Sequence, residues 1–152
     1  ADPEPQIPYL ITLEENKDAR IVFSSEDDEL NRKVLEKIPE VEVLMIPLKD
    51  KKDFMKQRNS GFNHVMAKAA KNNDVSIGID FDEIIDSKNT SEKSKILSRI
   101  MQNIFLCNKN KIKMIFVSKK YSRGLRDLKS LGLVLGMPTW MTKRLEFVRL
   151  NK

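Results

Sequence analysis

The chain has 152 residues, a formal net charge of +6 and a sequence pI near 9.4. This length suits one domain, or part of a larger one. No apolar run approaches the ~18–20 residues that a membrane span needs, which argues against a transmembrane protein. The single cysteine, Cys107, and the single histidine, His64, exclude a disulfide framework and metal centres built from several such ligands.

The first eight residues are acidic and proline-rich, with neither the basic segment nor the apolar segment of a secretory signal. We therefore interpret residues 1–8 as a flexible N-terminal segment or an expression remnant, and residues 9–152 as one domain. With no signal peptide and no membrane span, we expect a cytoplasmic protein.

Short apolar runs alternate with amphipathic patterns along the chain. The chain begins with a possible strand and a first clear strand. A helix that Ser25 caps and Pro39 ends comes next, and a second clear strand follows it. A charged loop then leads to a helix that begins at Ser60. A third clear strand, a long helix that Asn89 caps, a fourth clear strand and a leucine-bearing helix that Ser122 caps complete the alternation. The predicted strands are Tyr9–Leu13, Ile21–Phe23, Val41–Ile46, Val75–Ile79 and Met114–Val117.

The final residues fit two structures. Trp140, Met141, Leu145 and Val148 follow helical spacing, whereas Leu145–Leu150 also reads as a strand. Strands separated by crossover helices predict a parallel sheet, and strands that are apolar throughout are covered on both faces. A complete (β/α)₈ barrel needs ~200 residues or more, so the fold class is α/β with parallel βα repeats, a partial TIM-barrel-like domain.

Charge is distributed unevenly along the chain. Residues 1–50 have a net charge of −7, whereas residues 51–152 have a net charge of +13. Between Lys109 and Lys152, twelve basic side chains face two acidic ones. This pattern either marks an ordinary lysine-rich surface or a surface for a polyanion, because neutralising phosphates releases counterions.

The loop after the fourth clear strand is the best candidate for phosphate binding. Lys119 and Lys120 leave the strand, and Arg123 and Arg126 lie in the first turns of the next helix. Cations at a helix N-terminus oppose the macrodipole, and an anion would reverse that unfavourable arrangement. The alternative is a solvated basic face on an amphipathic helix.

Two other clusters follow earlier strands. Arg58 precedes the second helix, whose first turns place His64 and Lys68 on one face; without a second ligand nearby, His64 is not a metal site. The carboxylates that follow the third clear strand could hold Mg²⁺ through water, although exposed acidic turns are common. They are Asp80, Asp82, Glu83 and Asp86.

Three ordered segments resemble the TIM-barrel protein subunit of archaeal and eukaryotic ribonuclease P, the thirty-kilodalton component three. The segment Arg58–Lys68 resembles that family's RKDxGIDHVLAK, Arg123–Leu128 resembles RxPxDL, and Leu131–Met137 resembles LGVVLGM. Asn59 and Asn63 replace aspartates of the family pattern, and Leu125 replaces its proline. The family's first strands and helices have no counterpart, so the resemblance implies a shortened form or a fragment.

The resemblance implies that the RNA subunit, with Mg²⁺, is the catalyst that removes the 5′ leader from precursor tRNA. The chain would then be a non-catalytic, RNA-binding subunit with no cofactor of its own. Its implied partners are ribonuclease P RNA, precursor tRNA and a ferredoxin-like protein subunit, in a heterotetramer. We predict RNA contacts at Lys119, Lys120, Arg123, Arg126, Arg58, His64 and Lys68, and no catalytic or metal-binding residue.

Two other functions remain open at this point. A metal-dependent phosphoesterase of the histidinol-phosphatase-like barrel class would use the acidic cluster, although such enzymes need several histidines. A protein-interaction module would dock a partner through the leucine-rich last helices, and its basic charge would be incidental.

Overall fold

The computed structural model describes residues 10–12, 20–53, 55 and 59–150. In chain order, the strands and helices of these residues are β1 (Leu10–Thr12), β2 (Arg20–Ser24), α1 (Asp28–Lys37), β3 (Val43–Met45), α2 (His64–Asn72), β4 (Ser76–Asp80), α3 (Phe81–Ile85), α4 (Thr90–Asn110), β5 (Met114–Ser118), α5 (Leu125–Val134), α6 (Thr139–Lys143) and β6 (Glu146–Arg149). The segment 1–8 lies outside the described residues, so the domain boundary at residue 9 stays a prediction. None of the described helices has the length and hydropathy that crossing a bilayer requires.

The strands form one sheet in the order β1-β2-β3-β4-β5-β6. Strands β2 to β6 pair in parallel, whereas β1 pairs antiparallel with β2. Each parallel connection contains a helix, because a strand must cross over before it can pair in parallel with the next one. Five parallel strands in a curled half-barrel with alternating helices confirm the predicted partial TIM-barrel-like fold.

The parallel strands are apolar on both faces, as the sequence predicts. On the convex face, residues such as Leu44, Ile77 and Phe116 pack against the helices in the larger core cluster. On the concave face, a second buried cluster contains Val22 of β2 and Val148 of β6. The two outermost parallel strands therefore contribute to one apolar cluster, which shows how strongly the sheet curls.

A network of ion pairs joins the same two strands, β2 and β6, at the amino edge of the sheet, where the parallel strands begin. Arg20 Nη1 and Nη2 on β2 lie 2.5 and 2.8 Å from the two carboxylate oxygens of Glu146 on β6. Lys113 Nζ, just before β5, lies 2.7 Å from Glu146 Oε2. Because Arg20 and Glu146 lie on the two outermost parallel strands, their pairing joins the two sides of the curled sheet.

Glu146 should make the stability of the protein sensitive to acid. Its hydrogen bonds from Arg20, then from Lys113, hold its pKa at about 2, below the ordinary 4.5. Because the folded-state pKa is the lower one, this stabilisation is complete above pH 4.5 and is lost as the pH falls towards 2. In urea unfolding at a series of pH values, Glu146→Gln should be less stable than wild type at neutral pH and lose less stability over this window. Glu40→Gln, at an exposed turn, is the control; equal pH dependence of wild type and Glu146→Gln would contradict the prediction.

The end of the chain resolves the two interpretations of its sequence. The helix α6 is short, and Glu146–Arg149 form β6, which pairs in parallel with β5 through Val117 and Val148. Leu145 and Val148 are buried on the sheet and not along a helix. The helical interpretation was therefore wrong beyond Lys143, and the strand interpretation is confirmed.

Candidate nucleic-acid interface

The predicted RNA-contacting residues follow two different strands. Lys119, Lys120, Arg123 and Arg126 come after β5, whereas His64 and Lys68 lie on α2, in the connection that follows β3. Parallel strands end at the same edge, so both loops emerge at the carboxyl edge of the sheet. Strand β4 lies between β3 and β5, so the two groups form separate parts of this edge.

The backbone of the loop after β5 is held by a carboxylate of α3. Asp82 Oδ2 accepts hydrogen bonds from the backbone N–H groups of Lys119, at 2.8 Å, and Lys120, at 3.3 Å. The hydroxyl of Ser118 donates to Asp82 Oδ1 and accepts from Tyr121 N at 2.9 Å. The backbone donors of Lys119 and Lys120 are therefore occupied, and only their side chains are available to a phosphate.

Lys120 is also neutralised by a neighbour. Its Nζ lies 2.7 Å from Asp86 Oδ2, and the Tyr121 hydroxyl lies 2.5 Å from Asp86 Oδ1. The hydrogen bonds from Lys120 and Tyr121 lower the pKa of Asp86, and the Asp86 carboxylate raises the pKa of Lys120. Lys119 has no such carboxylate partner among the described residues. The structure thus distinguishes two lysines that the sequence treats alike.

The two arginines at the start of α5 are exposed. The Arg123 guanidinium carbon lies 5.8 Å from the Phe81 ring centre and 6.0 Å from that of Tyr121, within the range of cation–π attraction. Its Nη1 donates to Ser122 O at 2.9 Å. Within the part of the chain that the structure describes, no carboxylate pairs with Arg123 or Arg126. These two cations keep their full charge for an external anion.

Much of the segment that resembles the family motif before α2 builds the turn into that helix. Asn59 Oδ1 accepts from Gly61 N at 3.0 Å, and Asn63 caps α2 by accepting from Met66 N at 2.9 Å. Ser60 is buried instead of capping the helix, because α2 starts later than predicted. Asparagine oxygens accept these bonds as aspartate would, so the two departures from the family pattern preserve the turn.

Of the three RNA-contacting residues predicted in this segment, the structure describes two. His64 and Lys68 are exposed on the outer face of α2. Arg58 lies outside the described residues, so its contact with RNA stays a prediction without a structural account. The exposed pair is compatible with an external ligand, and the structure does not bring it against the arginines of α5.

A buried arginine that the sequence analysis missed anchors the loop between β3 and α2. Arg99 of α4 donates from Nη1 to Leu48 O at 3.2 Å and from Nη2 to Lys51 O at 2.7 Å. Its Nη2 also lies 3.0 Å from Asp53 Oδ1, and Asp53 Oδ1 accepts from Asn59 N. Arg99 therefore connects the helical layer to the loop that leads to His64.

The acidic cluster is engaged within the protein. Glu83 accepts from the backbone N–H groups of Leu48, at 2.9 Å, and Lys49, at 3.1 Å, and Asp80 caps α3. Burial, then repulsion by Glu83 and Asp82, raises the pKa of Asp80 to about 7. Among the described residues, no three His, Cys, Asp or Glu side chains are placed to hold a metal ion. The cluster connects the loops after β3 and β5, and nothing in it favours the phosphoesterase alternative.

Two curated proteins match the sequence, whereas no family model does. Ribonuclease P protein component 3 of Methanosarcina acetivorans is 30% identical over 121 residues, which are 77% of this chain and 47% of that protein. Its counterpart in Methanococcoides burtonii is 30% identical over 115 residues, or 73% and 44%. The chain is homologous to ribonuclease P protein component 3. This confirms the resemblance read from the three sequence segments.

The fold agrees with that relationship. A chain of an archaeal ribonuclease P cryo-EM structure with mature tRNA superposes with a TM-score of 0.66 and 24% sequence identity. The match covers 82% of this chain and 52% of that chain. The chain spans about half the length of the curated relatives and of the solved chain that it matches.

Proposed function

We propose that the chain is an RNA-binding protein subunit of ribonuclease P. It supports the Mg²⁺-dependent removal of the 5′ leader from precursor tRNA, and the RNA with its Mg²⁺ is the catalyst. One observation carries the proposal beyond homology: Arg123 and Arg126, in a segment that resembles the family motif, are exposed and unpaired with any described carboxylate. Two full charges at the carboxyl edge suit contact with phosphates.

The proposed partners are ribonuclease P RNA, precursor tRNA and a ferredoxin-like protein subunit, with which the chain forms a heterotetramer. The proposed RNA contacts are the side chains of Lys119, Arg123 and Arg126, with His64 and Lys68 as a separate group. Lys120 is a weaker candidate, because Asp86 already neutralises it.

Reconstitution tests the function directly. The purified chain is mixed with a ribonuclease P RNA and the ferredoxin-like subunit, and precursor-tRNA cleavage is followed at limiting Mg²⁺. Stimulation above RNA plus the ferredoxin-like subunit is the expected result. A folded chain that gives no stimulation would contradict the proposal, and heat-unfolded chain is the control for unspecific charge effects.

Reversing the charge of the two arginines should weaken RNA binding. Arg123→Glu/Arg126→Glu is expected to lower the slope of log affinity against log salt by about 2, because each lost phosphate contact removes about one unit. The affinity of wild type and variant is measured by filter binding over a range of salt concentrations. Arg32→Glu/Lys33→Glu, exposed on α1, has the same change in charge and serves as control. An unchanged slope for the α5 variant would remove the arginines from the interface.

A protein contact is a second candidate for the outer face of α5. Leu133 and Val134 are 57% and 80% exposed, whereas Leu128 and Leu135 are buried in the chain's own core. Leu133→Ser/Val134→Ser should therefore weaken assembly with the ferredoxin-like subunit in sedimentation, independently of salt, if this face takes part in the heterotetramer. Assembly of unchanged strength would assign the contact to another face.

A further inference from the structure

A basic cavity lies at the amino edge of the sheet, opposite the edge of the predicted RNA contacts. Its volume is about 360 Å³, and five cationic side chains line it. They are Arg20, Lys71, Lys111, Lys113 and Arg144. These residues lie near the starts of strands and the ends of helices. The fold therefore brings together cations that are far apart in the sequence.

Two of the cations are fixed by the ion network of the sheet. Glu146 pairs with Arg20 at 2.5 Å and with Lys113 at 2.7 Å. One carboxylate thus contacts both cations. The pairing also holds both long side chains in place, so this part of the cavity wall is ordered before an anion binds.

The other three cations have no carboxylate partner among the described residues. Lys71 Nζ donates to Lys111 O at 3.2 Å, which brings the ends of α2 and α4 together. Lys111 is the residue in left-handed conformation that ends α4, and its Nζ lies 5.5 Å from the centre of the Trp140 ring. Arg144, which caps α6 through its backbone N–H, is exposed, and its side chain has no polar partner among the described residues.

Helix dipoles account for only part of this arrangement. Cations near the C-terminal ends of α2, α4 and α6 are favourable in any protein, which covers Lys71, Lys111 and Arg144. Arg20 lies at the start of β2, away from the described helix ends, and Lys113 lies between the end of α4 and β5. The cavity also contains Glu42 and Asp74, both exposed, so cations outnumber acids in its lining.

We propose that this cavity binds phosphodiester groups of RNA, as a second contact region at the amino edge of the half-barrel. The inference rests on the proposed RNA-binding function and extends it to residues that no family motif covers. Lys71, Lys111 and Arg144 make the contacts, and the Glu146 network with Arg20 and Lys113 forms the ordered wall behind them. An RNA that contacts both edges would be held across the height of the sheet.

Salt-dependent RNA binding tests this proposal. The variant Lys71→Ala/Lys111→Ala/Arg144→Ala and the control Lys33→Ala/Lys93→Ala/Lys95→Ala remove equal charge from exposed positions. Affinity for ribonuclease P RNA is measured between about 50 and 200 mM salt. The cavity variant should lower the salt slope by about 2 to 3, and the control by less than 1. Circular dichroism of each variant verifies the fold.

The outcomes separate this inference from the proposed function. If wild type binds the RNA and both triple variants reduce the slope equally, the cavity is not a contact, while the proposed function stands. If wild type does not bind the RNA, the proposed function is contradicted, and the cavity proposal, which rests on it, is contradicted as well. A variant of opposite sign adds a second criterion: Glu42→Gln/Asp74→Asn should tighten binding, and an unchanged affinity would count against phosphates in the cavity.

Discussion

Replacing Arg99 with methionine is expected to lower the free energy of unfolding by about 3 kcal/mol. The Arg99 side chain is almost completely buried, and its guanidinium satisfies the carbonyl oxygens of Leu48 and Lys51 and the Asp53 carboxylate. Methionine keeps the apolar stem but removes the donor from the buried Leu48 carbonyl and the partly buried Lys51 carbonyl. An unsatisfied buried acceptor costs about 1–3 kcal/mol, more where a charge is involved.

Urea unfolding followed by circular dichroism measures this loss, and Arg32→Met is the matched control. Arg32 lies on the exposed face of α1, and its Nε pairs with Glu36 at 2.9 Å, one helical turn away. Such a pair contributes about 0.3–0.5 kcal/mol. Losses of similar size in the two variants would show that Arg99 does not anchor the loop. A selective loss should be accompanied by weaker RNA binding if His64 is a contact, because the same loop leads to it.

The alternation of strands and helices could be predicted because the strands are unbroken apolar runs. Val75–Ile79 and Met114–Val117 were each within one residue of β4 and β5 at both ends. Helix starts were less accurate. Asp27, Asn63 and Gly124 cap α1, α2 and α5, where the sequence predicted Ser25, Ser60 and Ser122. Several neighbouring residues can cap a helix, and tertiary contacts decide which one does.

Surface exposure on the long helix shows a second limit of the helical pattern. Met101 and Phe105 follow the apolar period of the α4 sequence together with Ile100 and Ile104, yet they are 48% and 67% exposed. A helix in one outer layer buries only the arc that faces the sheet and its neighbours. Arg99 and Asn103 lie inside that arc, because the loop after β3 supplies carbonyl acceptors for them. Periodicity alone assigns such polar residues to the outside.

The place of the predicted RNA-contacting cations in the fold could be predicted from the sequence, whereas the contacts within their loops could not. The carboxyl edge follows from the parallel topology, and the cations after β5 are visible in the sequence. The hydrogen bond from the Lys119 backbone N–H to Asp82 joins residues that are 37 positions apart. The short helix α3, which carries Asp82, falls within a predicted loop because five residues are too few for a helical period. The amino-edge cavity was missed for a related reason. Its cations lie at separate places along the sequence, each near the start of a strand or the end of a helix, so the sequence does not show that they come together.

Gly61 provides the second large effect, because the turn into α2 leaves no room for a side chain. Its φ of +72° is in the left-handed region. A Cβ there would lie 2.6 Å from Ile46 Cγ2 and 2.8 Å from Lys51 Cε. Ile46 is buried in the core, and Lys51 Nζ is paired with Asp28 at 3.0 Å, so neither atom can withdraw freely. We therefore expect Gly61→Ala to destabilise the fold by about 3 kcal/mol, from backbone strain and overpacking together.

Gly124→Ala is the matched control for this substitution. Gly124 has a φ of −65°, which alanine adopts easily, and its nearest neighbour to a new Cβ is Asp127 Oδ2 at 4.0 Å. We expect a net change of about 0.5 kcal/mol or less, because the loss of the better N-cap residue is offset by the lower conformational entropy of alanine in the unfolded chain. Thermal and urea unfolding of both variants measure the difference. Equal stabilities would contradict the left-handed turn at Gly61. A loss confined to Gly61→Ala would show that the turn into α2, the helix of His64 and Lys68, requires glycine at this position.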